Sequence, residues 1–175
     1  TNDQILADRM RVLRVHGQTR EYEYQHVGIN GRMDTLQAAI LLAKLEVFDE
    51  ELDRRKDIGA RYIEQLSVRC PGLTLQKIRS GYTSVFAQFV VLSDFRERYL
   101  AALRAAAIST AVHYRIPLHK QPAFLKREGS RKSILLKNSE SVADRIFSIP
   151  MSAYLSEKEQ DSVISVLEKA FHEGV

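Results

Sequence analysis

From Asp34 to about Ser67 the chain holds a helical pattern longer than one compact domain requires. Asp34-x-x-Gln37 has the form of a capping-box start. Leu36, Ile40, Ala43 and Val47 then fall on one stripe, and Leu52, Tyr62 and Leu66 prolong it. At about 1.5 Å per residue such a run extends about 50 Å, so the pattern points to a helix that links two domains, packing its first half on one and its second half on the other. Two helices broken between Asp49 and Asp57 satisfy the same pattern, and Gly59 is a candidate bend. Glu50 with Arg54 and Glu51 with Arg55 are i,i+4 pairs on a solvated face; they favour helix and carry no function.

The elements on either side are shorter. Leu6, Met10 and Leu13 make an amphipathic helix from Thr1 to about Val15, opened by a Thr1-x-x-Gln4 box and stopped at Gly17. Residues 18–33 hold no sustained period and read as a turn-rich loop. After Cys70-Pro71-Gly72 the pattern changes. Thr83–Leu92 alternates as a strand, Asp94-x-x-Glu97 starts a helix to about Ala107, and Ile108–Tyr114 returns to a period of two. This strand, helix, strand unit leaves parallel and antiparallel pairing open. A loop with Pro117 and Pro122, a helix near Lys137–Arg145, a short Phe147–Met151 segment and a final helix capped by Ser156-x-x-Glu159 follow; Val163, Leu167 and Ala170 stripe that helix and Gly174 ends it. The expected class is α/β, with an α+β small domain.

Several classes of function drop out. With 45% apolar and 27% charged residues in 175, the chain is neither disordered nor a disulfide scaffold, and its single cysteine, Cys70, cannot form an internal disulfide. No run approaches the roughly 18–20 apolar residues of a bilayer span, and the first residues lack the layout of a secretory signal. A cytoplasmic setting with no membrane partner is the expectation. Twenty-six Lys and Arg against 22 Asp and Glu give +4. The excess gathers at Lys126, Arg127, Arg131, Lys132 and Lys137 without interleaved aromatics, a pattern of a solvated loop rather than a nucleic-acid groove. A start on Thr1 rather than Met suggests a piece of something larger.

Two stretches could carry chemistry. In Gly28-Ile29-Asn30-Gly31-Arg32 the glycines permit close backbone approach, the Asn30 amide can donate to an oxyanion, and the Arg32 fork suits carboxylate or phosphate. A plain helix-start turn, with Asn30 satisfying local backbone, accounts for the same composition. In Val112-His113-Tyr114-Arg115-Ile116-Pro117-Leu118-His119 a strand end presents polar side chains before a proline-bearing loop. His113 and His119 have no Cys or carboxylate at helpful spacing, so no metal is expected. His16 beside Gly17 reads as a helix C-terminal cap, and no nucleophile elbow, Walker loop or Rossmann fingerprint is present.

Leu13–Gly17, the block Gly28-Ile29-Asn30-Gly31-Arg32-Met33-Asp34-Thr35-Leu36-Gln37-Ala38-Ala39, Val112-His113-Tyr114, Pro117-Leu118-His119, Gln121-Pro122-Ala123 and Ile149-Pro150-Met151 occur in this order over nearly the whole chain. Together they resemble the carboxyl-terminal half of the pyridoxal-phosphate-dependent nucleotide-sugar aminotransferases of the DegT/DnrJ/EryC1/StrS family. Ser84-Val85-Phe86-Ala87-Gln88-Phe89 is similar to the branch that aminates 3-keto UDP-N-acetyl sugars or sugar uronates for surface polysaccharides, such as UDP-2-acetamido-2-deoxy-3-oxo-glucuronate.

The resemblance implies a fold-type-I homodimer that binds pyridoxal 5'-phosphate, a UDP-sugar and an amino donor, expected to be glutamate. It implies that Asn30 bonds the cofactor phosphate of the partner subunit, that Arg32 contacts substrate, and that His113 and Tyr114 line the nucleotide-sugar pocket. Arg115 departs from the family pattern, where proline usually follows the His-Tyr pair. It further implies that residues 1–53 end the large cofactor domain and begin the connecting helix, with 54–175 as the small domain. The Schiff-base lysine, the aspartate facing the pyridine nitrogen and the ring-stacking aromatic lie upstream in the family. No lysine here matches, Lys120 reads as solvated, and the chain alone is expected to be inactive. A non-catalytic dimerising or anion-binding domain and a degenerate relic are the alternatives.

Overall fold

The computed structural model describes residues 1–125 and 135–173. They fall into two compact units, Thr1–Phe48 and Asp49–Val175. Among the described residues, no helix is long and apolar enough to cross a membrane.

The first unit begins with helix α1 (Gln4–Leu13). Its cap is Asp3, which accepts from the Leu6 N–H at 3.0 Å, rather than Thr1, whose hydroxyl instead accepts from the Asp3 N–H at 3.1 Å. Two short strands, β1 (Gln18–Arg20) and β2 (Glu23–Tyr24), pair antiparallel inside the stretch expected to be loop. They turn at Tyr22, a non-glycine residue at φ 60°, and with so few residues no alternation betrays them. Helix α2 (Thr35–Leu45) begins at Asp34, where Gln37 Oε1 accepts from the Asp34 N–H at 3.4 Å, the reciprocal bond of a capping box.

The long run is divided. Helix α2 ends at Leu45 and helix α3 (Phe48–Arg69) begins after Glu46 and Val47, ahead of the 49–57 window in which the sequence admits a break. Neither glycine nor proline marks the interruption. Helix α3 is unbroken at Gly59, so this glycine is not a bend. It is a notch: a Cβ there would lie 2.2 Å from Phe86 Cδ2, inside the buried ring that packs on the helix.

The second unit carries a three-stranded antiparallel sheet in the order β3 (Thr74–Leu75), β4 (Phe89–Leu92), β5 (Ile146–Ile149). The strand expected from Thr83 is therefore confined to its last residues. Phe86 turns to φ 44° with its N–H donating to Ser84 Oγ, which takes the chain off an extended course and sends the ring into the Gly59 notch. The expected strand over Ile108–Tyr114 is reduced to one antiparallel bridge between Ala111 and Ser148, on the free edge of β5.

Helix α4 (Arg96–Ala105) starts at Phe95, not at an Asp94 box. Ser93 Oγ accepts from the Phe95 N–H, while Asp94 pairs with Arg145 and Glu97 with Arg96. A 3-10 turn (Leu118–Lys120) and helix α5 (Pro122–Leu125) occupy the proline loop. Helix α6 (Lys137–Arg145) and helix α7 (Glu157–His172) follow the pattern, the latter with its Ser156/Glu159 capping box and a buried stripe of Val163, Leu167 and Ala170. Gly174 lies outside the described residues.

The core joins Tyr62 and Leu66 of α3, Phe89 and Val91 of β4, Tyr99 and Leu103 of α4, Phe147 of β5 and Ile164 and Leu167 of α7. Tyr62 and Phe89 rings lie 4.9 Å apart, Phe86 and Phe89 5.3 Å. Gln160 is a buried polar residue at 1% exposure, and both ends of its amide are used: Nε2 donates to the Ile58 carbonyl at 2.8 Å and Oε1 accepts from Arg61 at 2.9 Å. A satisfied amide of this kind ties α7 to α3 without the cost of an orphaned group.

Gly59→Ala places a methyl in occupied space. Overpacking costs about 1–3 kcal/mol, against about 1 kcal/mol that alanine gains over glycine in a helix. The variant is expected to lower the urea midpoint of the second unit, and the same substitution in a Phe86→Leu background to cost less. Equal costs in the two backgrounds would show that the ring does not set the need for glycine.

Candidate functional site

Asn30 and Arg32 belong to the first unit and are held by backbone. After α1 the chain turns at His16 (φ 66°) and Gly17 (φ 81°). The segment Gly28–Gly31 then runs back antiparallel against the end of the helix. Ile29 N–H donates to the Leu13 carbonyl at 2.9 Å, His16 N–H to the Ile29 carbonyl at 3.0 Å, and Gly31 N–H to the Arg14 carbonyl at 2.7 Å, with Val15 and Asn30 facing each other in a bridge. His16 thus acts through its main chain. A Cβ on Gly17 would sit 1.8 Å from the His26 carbonyl oxygen, and one on Gly28 would sit 2.4 Å from both the Leu13 oxygen and the Gly17 nitrogen. These glycines bring two backbone segments together.

Both candidate side chains stand exposed at the end of this zipper, next to the Asp34 cap. Asn30 Oδ1 accepts from Arg32 Nε at 3.2 Å. That bond uses one lone pair of the amide oxygen and the Nε–H of the guanidinium, and leaves as donors the Asn30 Nδ2 hydrogens and the Arg32 Nη groups. The pair is a preset donor cluster suited to oxyanions, since donors on a guanidinium bond carboxylate and phosphate more strongly than neutral donors do. Around it, α2 buries none of its side chains, and Leu36, Leu42 and Leu45 are exposed at 80%, 66% and 61%.

His113 and Tyr114 belong to the second unit, so the four sequence-expected site residues form two pairs on different units. Their rings meet edge to face at 5.4 Å, the peptide bond between them is cis, and Tyr114 is exposed. Arg115 reaches Glu97 Oε1 at 3.4 Å; Arg96 Nε bonds the same oxygen at 3.0 Å. The following loop is pinned by Glu140. This carboxylate takes Lys120 Nζ at 2.6 Å, His119 Nε2 at 3.1 Å and the Leu136 N–H at 3.3 Å, and the Lys120 bond, followed by that from His119, pulls its pKa down to about 2. Lys120 and His119 are therefore both partners of Glu140. Among the described residues no group of three or more His, Cys, Asp or Glu is placed to hold a metal ion.

A cleft of about 230 Å³ opens beside His113, lined by Ala87–Gln88, Ser109–Ala111 and Ser148–Met151. Ser148 and Thr110 are residues that sequence reasoning missed. A serine inside an apolar strand segment and a threonine at a strand end carry no signal until the Ala111–Ser148 bridge sets them around one space. Of the five basic residues Lys126, Arg127, Arg131, Lys132 and Lys137, Lys137 alone falls within the described residues.

The model of the DegT/DnrJ/EryC1/StrS aminotransferase family matches residues 1–168. The UDP-2-acetamido-2-deoxy-3-oxo-D-glucuronate aminotransferase of Pseudomonas aeruginosa is 44% identical over 155 residues, covering 89% of this chain and 41% of that relative. The dTDP-3-amino-3,6-dideoxy-alpha-D-galactopyranose transaminase of Aneurinibacillus thermoaerophilus is 36% identical over 169 residues, covering 97% of this chain and 45% of that one. The crystal structure of a DegT DnrJ EryC1 StrS aminotransferase from Brucella abortus superposes with a TM-score of 0.88 at 37% identity, over 98% of this chain and 45% of its own. The chain thus spans less than half the length of these relatives.

Gly28→Ala should break the zipper, because the new methyl meets main-chain atoms that have no rotamer to escape into. Hydrogen exchange at the Ile29 and Gly31 amides is expected to accelerate by at least tenfold; unchanged protection would contradict the glycine's role. For Glu140, a carboxylate depressed in the folded state contributes stability that is present above its unfolded pKa of about 4.3 and is lost as pH falls toward about 2. Glu140→Gln is therefore expected to be less stable than the parent at pH 6, with the difference closing by pH 2. A difference independent of pH would rule out the ion pairs as its source.

Proposed function

The chain belongs to the DegT/DnrJ/EryC1/StrS aminotransferase family, and on that premise we propose that it is the carboxyl-terminal part of a pyridoxal-phosphate-dependent enzyme that transfers an amino group to a keto nucleotide-sugar. The observation that carries this is the Asn30–Arg32 donor pair, mounted on a glycine-tight backbone zipper at the start of α2. The 44% identity to a UDP-2-acetamido-2-deoxy-3-oxo-D-glucuronate aminotransferase supports a UDP-sugar substrate, with glutamate as the amino donor of the resemblance.

The donor set fits the cofactor's phosphate. With one lone pair of Oδ1 engaged by Arg32, the Asn30 amide keeps both Nδ2 hydrogens free to donate, the polarity a phosphate oxygen needs. Pyridoxal phosphate, when bound, supplies the electron sink that allows an amino group to move between donor and sugar carbon. This chain's own residues bind and orient. Asn30 holds the phosphate of the cofactor seated in the second subunit of a homodimer, and Arg32 presents its Nη groups to a carboxylate or diphosphate of the substrate. His113 and Tyr114 form part of the wall that receives the nucleotide-sugar. Residues 1–53 are assigned to the end of the cofactor domain and the start of the connecting helix, and 54–175 to the small domain; the compact units Thr1–Phe48 and Asp49–Val175 support a division of this kind. The exposed leucines of α2 support a first unit that meets further protein, since apolar patches of this sort mark interaction surfaces. The lysine that carries the amino-group chemistry belongs to the rest of the enzyme.

In the enzyme that contains this chain, Arg32→Ala is expected to weaken binding of the sugar nucleotide by roughly 10- to 100-fold, the scale of one charge-assisted contact, with cofactor retention preserved. Asn30→Ala is expected to show the converse, a weakened hold on pyridoxal phosphate. Titration calorimetry with each ligand separates the two, and unaltered affinities in both variants would refute the assignment.

A further inference from the structure

Among the described residues of the second unit, four buried side-chain polar atoms have no hydrogen-bond partner, Arg98 Nε, Tyr99 Oη, His113 Nδ1 and Ser148 Oγ, and the last two belong to residues of one cleft. Ser148 is 6% exposed. A buried polar atom left unmatched costs about 1–3 kcal/mol, and folded proteins match nearly all of them. The backbone of Ser148 cannot move to relieve this. Its N–H donates to the Ala111 carbonyl at 2.7 Å, its own carbonyl accepts from the Ala111 N–H at 3.3 Å, and it is paired with Val90 across β4. Rotation about χ1 is the freedom the hydroxyl keeps, and a partner arriving in the cleft is what that rotation can reach.

The lining states what such a partner is. Among the described residues that line the cleft there is no Lys, Arg, Asp or Glu, so no fixed charge there singles out a phosphate or a carboxylate. The polar residues Thr110, Gln88 and Ser148 share the lining with apolar Ile149 and Met151. At about 230 Å³ the space is smaller than the roughly 300–1,000 Å³ of pockets that enclose a whole ligand. It suits one neutral ring substituent that both donates and accepts, and that turns an apolar side to the isoleucine and methionine.

We propose that Ser148, together with His113, is a specificity-determining contact for a neutral hydroxyl or acetamido substituent of the sugar, separate from the anion contacts of Arg32. The inference rests on the proposed nucleotide-sugar function and deepens it by dividing recognition between two chemistries: charge for the anionic part, and this uncharged cleft for the ring.

The test is Ser148→Ala in the cofactor-loaded enzyme that contains this chain, titrated with UDP and with UDP-N-acetylglucosamine. Expected is a roughly fivefold loss of affinity for UDP-N-acetylglucosamine, the scale of one neutral hydrogen bond, with UDP bound as in the parent. The unliganded variant should melt at the same or a higher temperature, because an orphaned hydroxyl has been removed. Unchanged affinity for the sugar nucleotide overturns the proposal, as does equal weakening toward both ligands or a sharp fall in melting temperature, each of which marks a structural role. Parallel titration of Arg32→Ala separates the failures: if that variant loses affinity and Ser148→Ala does not, the division of recognition falls and the aminotransferase assignment stands. If the parent binds neither ligand, both fall.

Discussion

The closest approach in the first unit is made by main chain, not by side chains. Leu13–Gly17 and Gly28–Gly31 lie within hydrogen-bond range because Gly28 carries no Cβ to meet the Leu13 oxygen and the Gly17 nitrogen. The energetic logic differs from that of a packed core. Three inter-segment bonds fix a short stretch of chain whose flanking helices leave apolar side chains exposed, and that stretch ends in Asn30 and Arg32. A side chain on a loop contributes to binding in proportion to how little freedom it must lose, and a zipper that has already taken that freedom lets the amide and guanidinium act as preset donors.

The second unit solves a different problem. Its core is conventional, with tilted aromatics between α3 and β4 and a satisfied Gln160 amide across α3 and α7. Its edge is where chemistry collects. The bridge from Ala111 to β5 ends two residues before His113, and the loop beyond is restrained by Glu140 through Lys120, His119 and the Leu136 amide. The orphaned atoms of His113 and Ser148 sit on this restrained edge, which is the expected place for groups whose partners come from outside the chain.

Helix identity was legible where capping and periodicity agreed. Asp34 with Gln37 and Ser156 with Glu159 form the boxes their spacing announces, and α6 and α7 occupy the residues their stripes imply. Legibility failed where a tertiary contact displaced a local rule. Asp94 left its cap to pair with Arg145, and Phe86 left the strand to fill a notch that only Gly59 provides. The interruption at Glu46–Val47 has no punctuation residue to announce it. For the site, Asn30 and Arg32 were visible as residue types suited to anions, although their glycines serve backbone approach rather than ligand approach. Ser148 was invisible, since its significance arises from an unpaired oxygen beside a cleft, which only three dimensions display.

The account depends on donors at Asn30 and Arg32 meeting anions brought by a second subunit. A crystal structure of the cofactor-loaded dimer with a bound UDP-sugar tests this directly. The account requires Asn30 Nδ2 within about 3 Å of a cofactor phosphate oxygen held by the partner subunit, and an Arg32 Nη at similar range from a substrate oxyanion. Both side chains pointing into bulk solvent, with cofactor and substrate fully held by other residues, would contradict it.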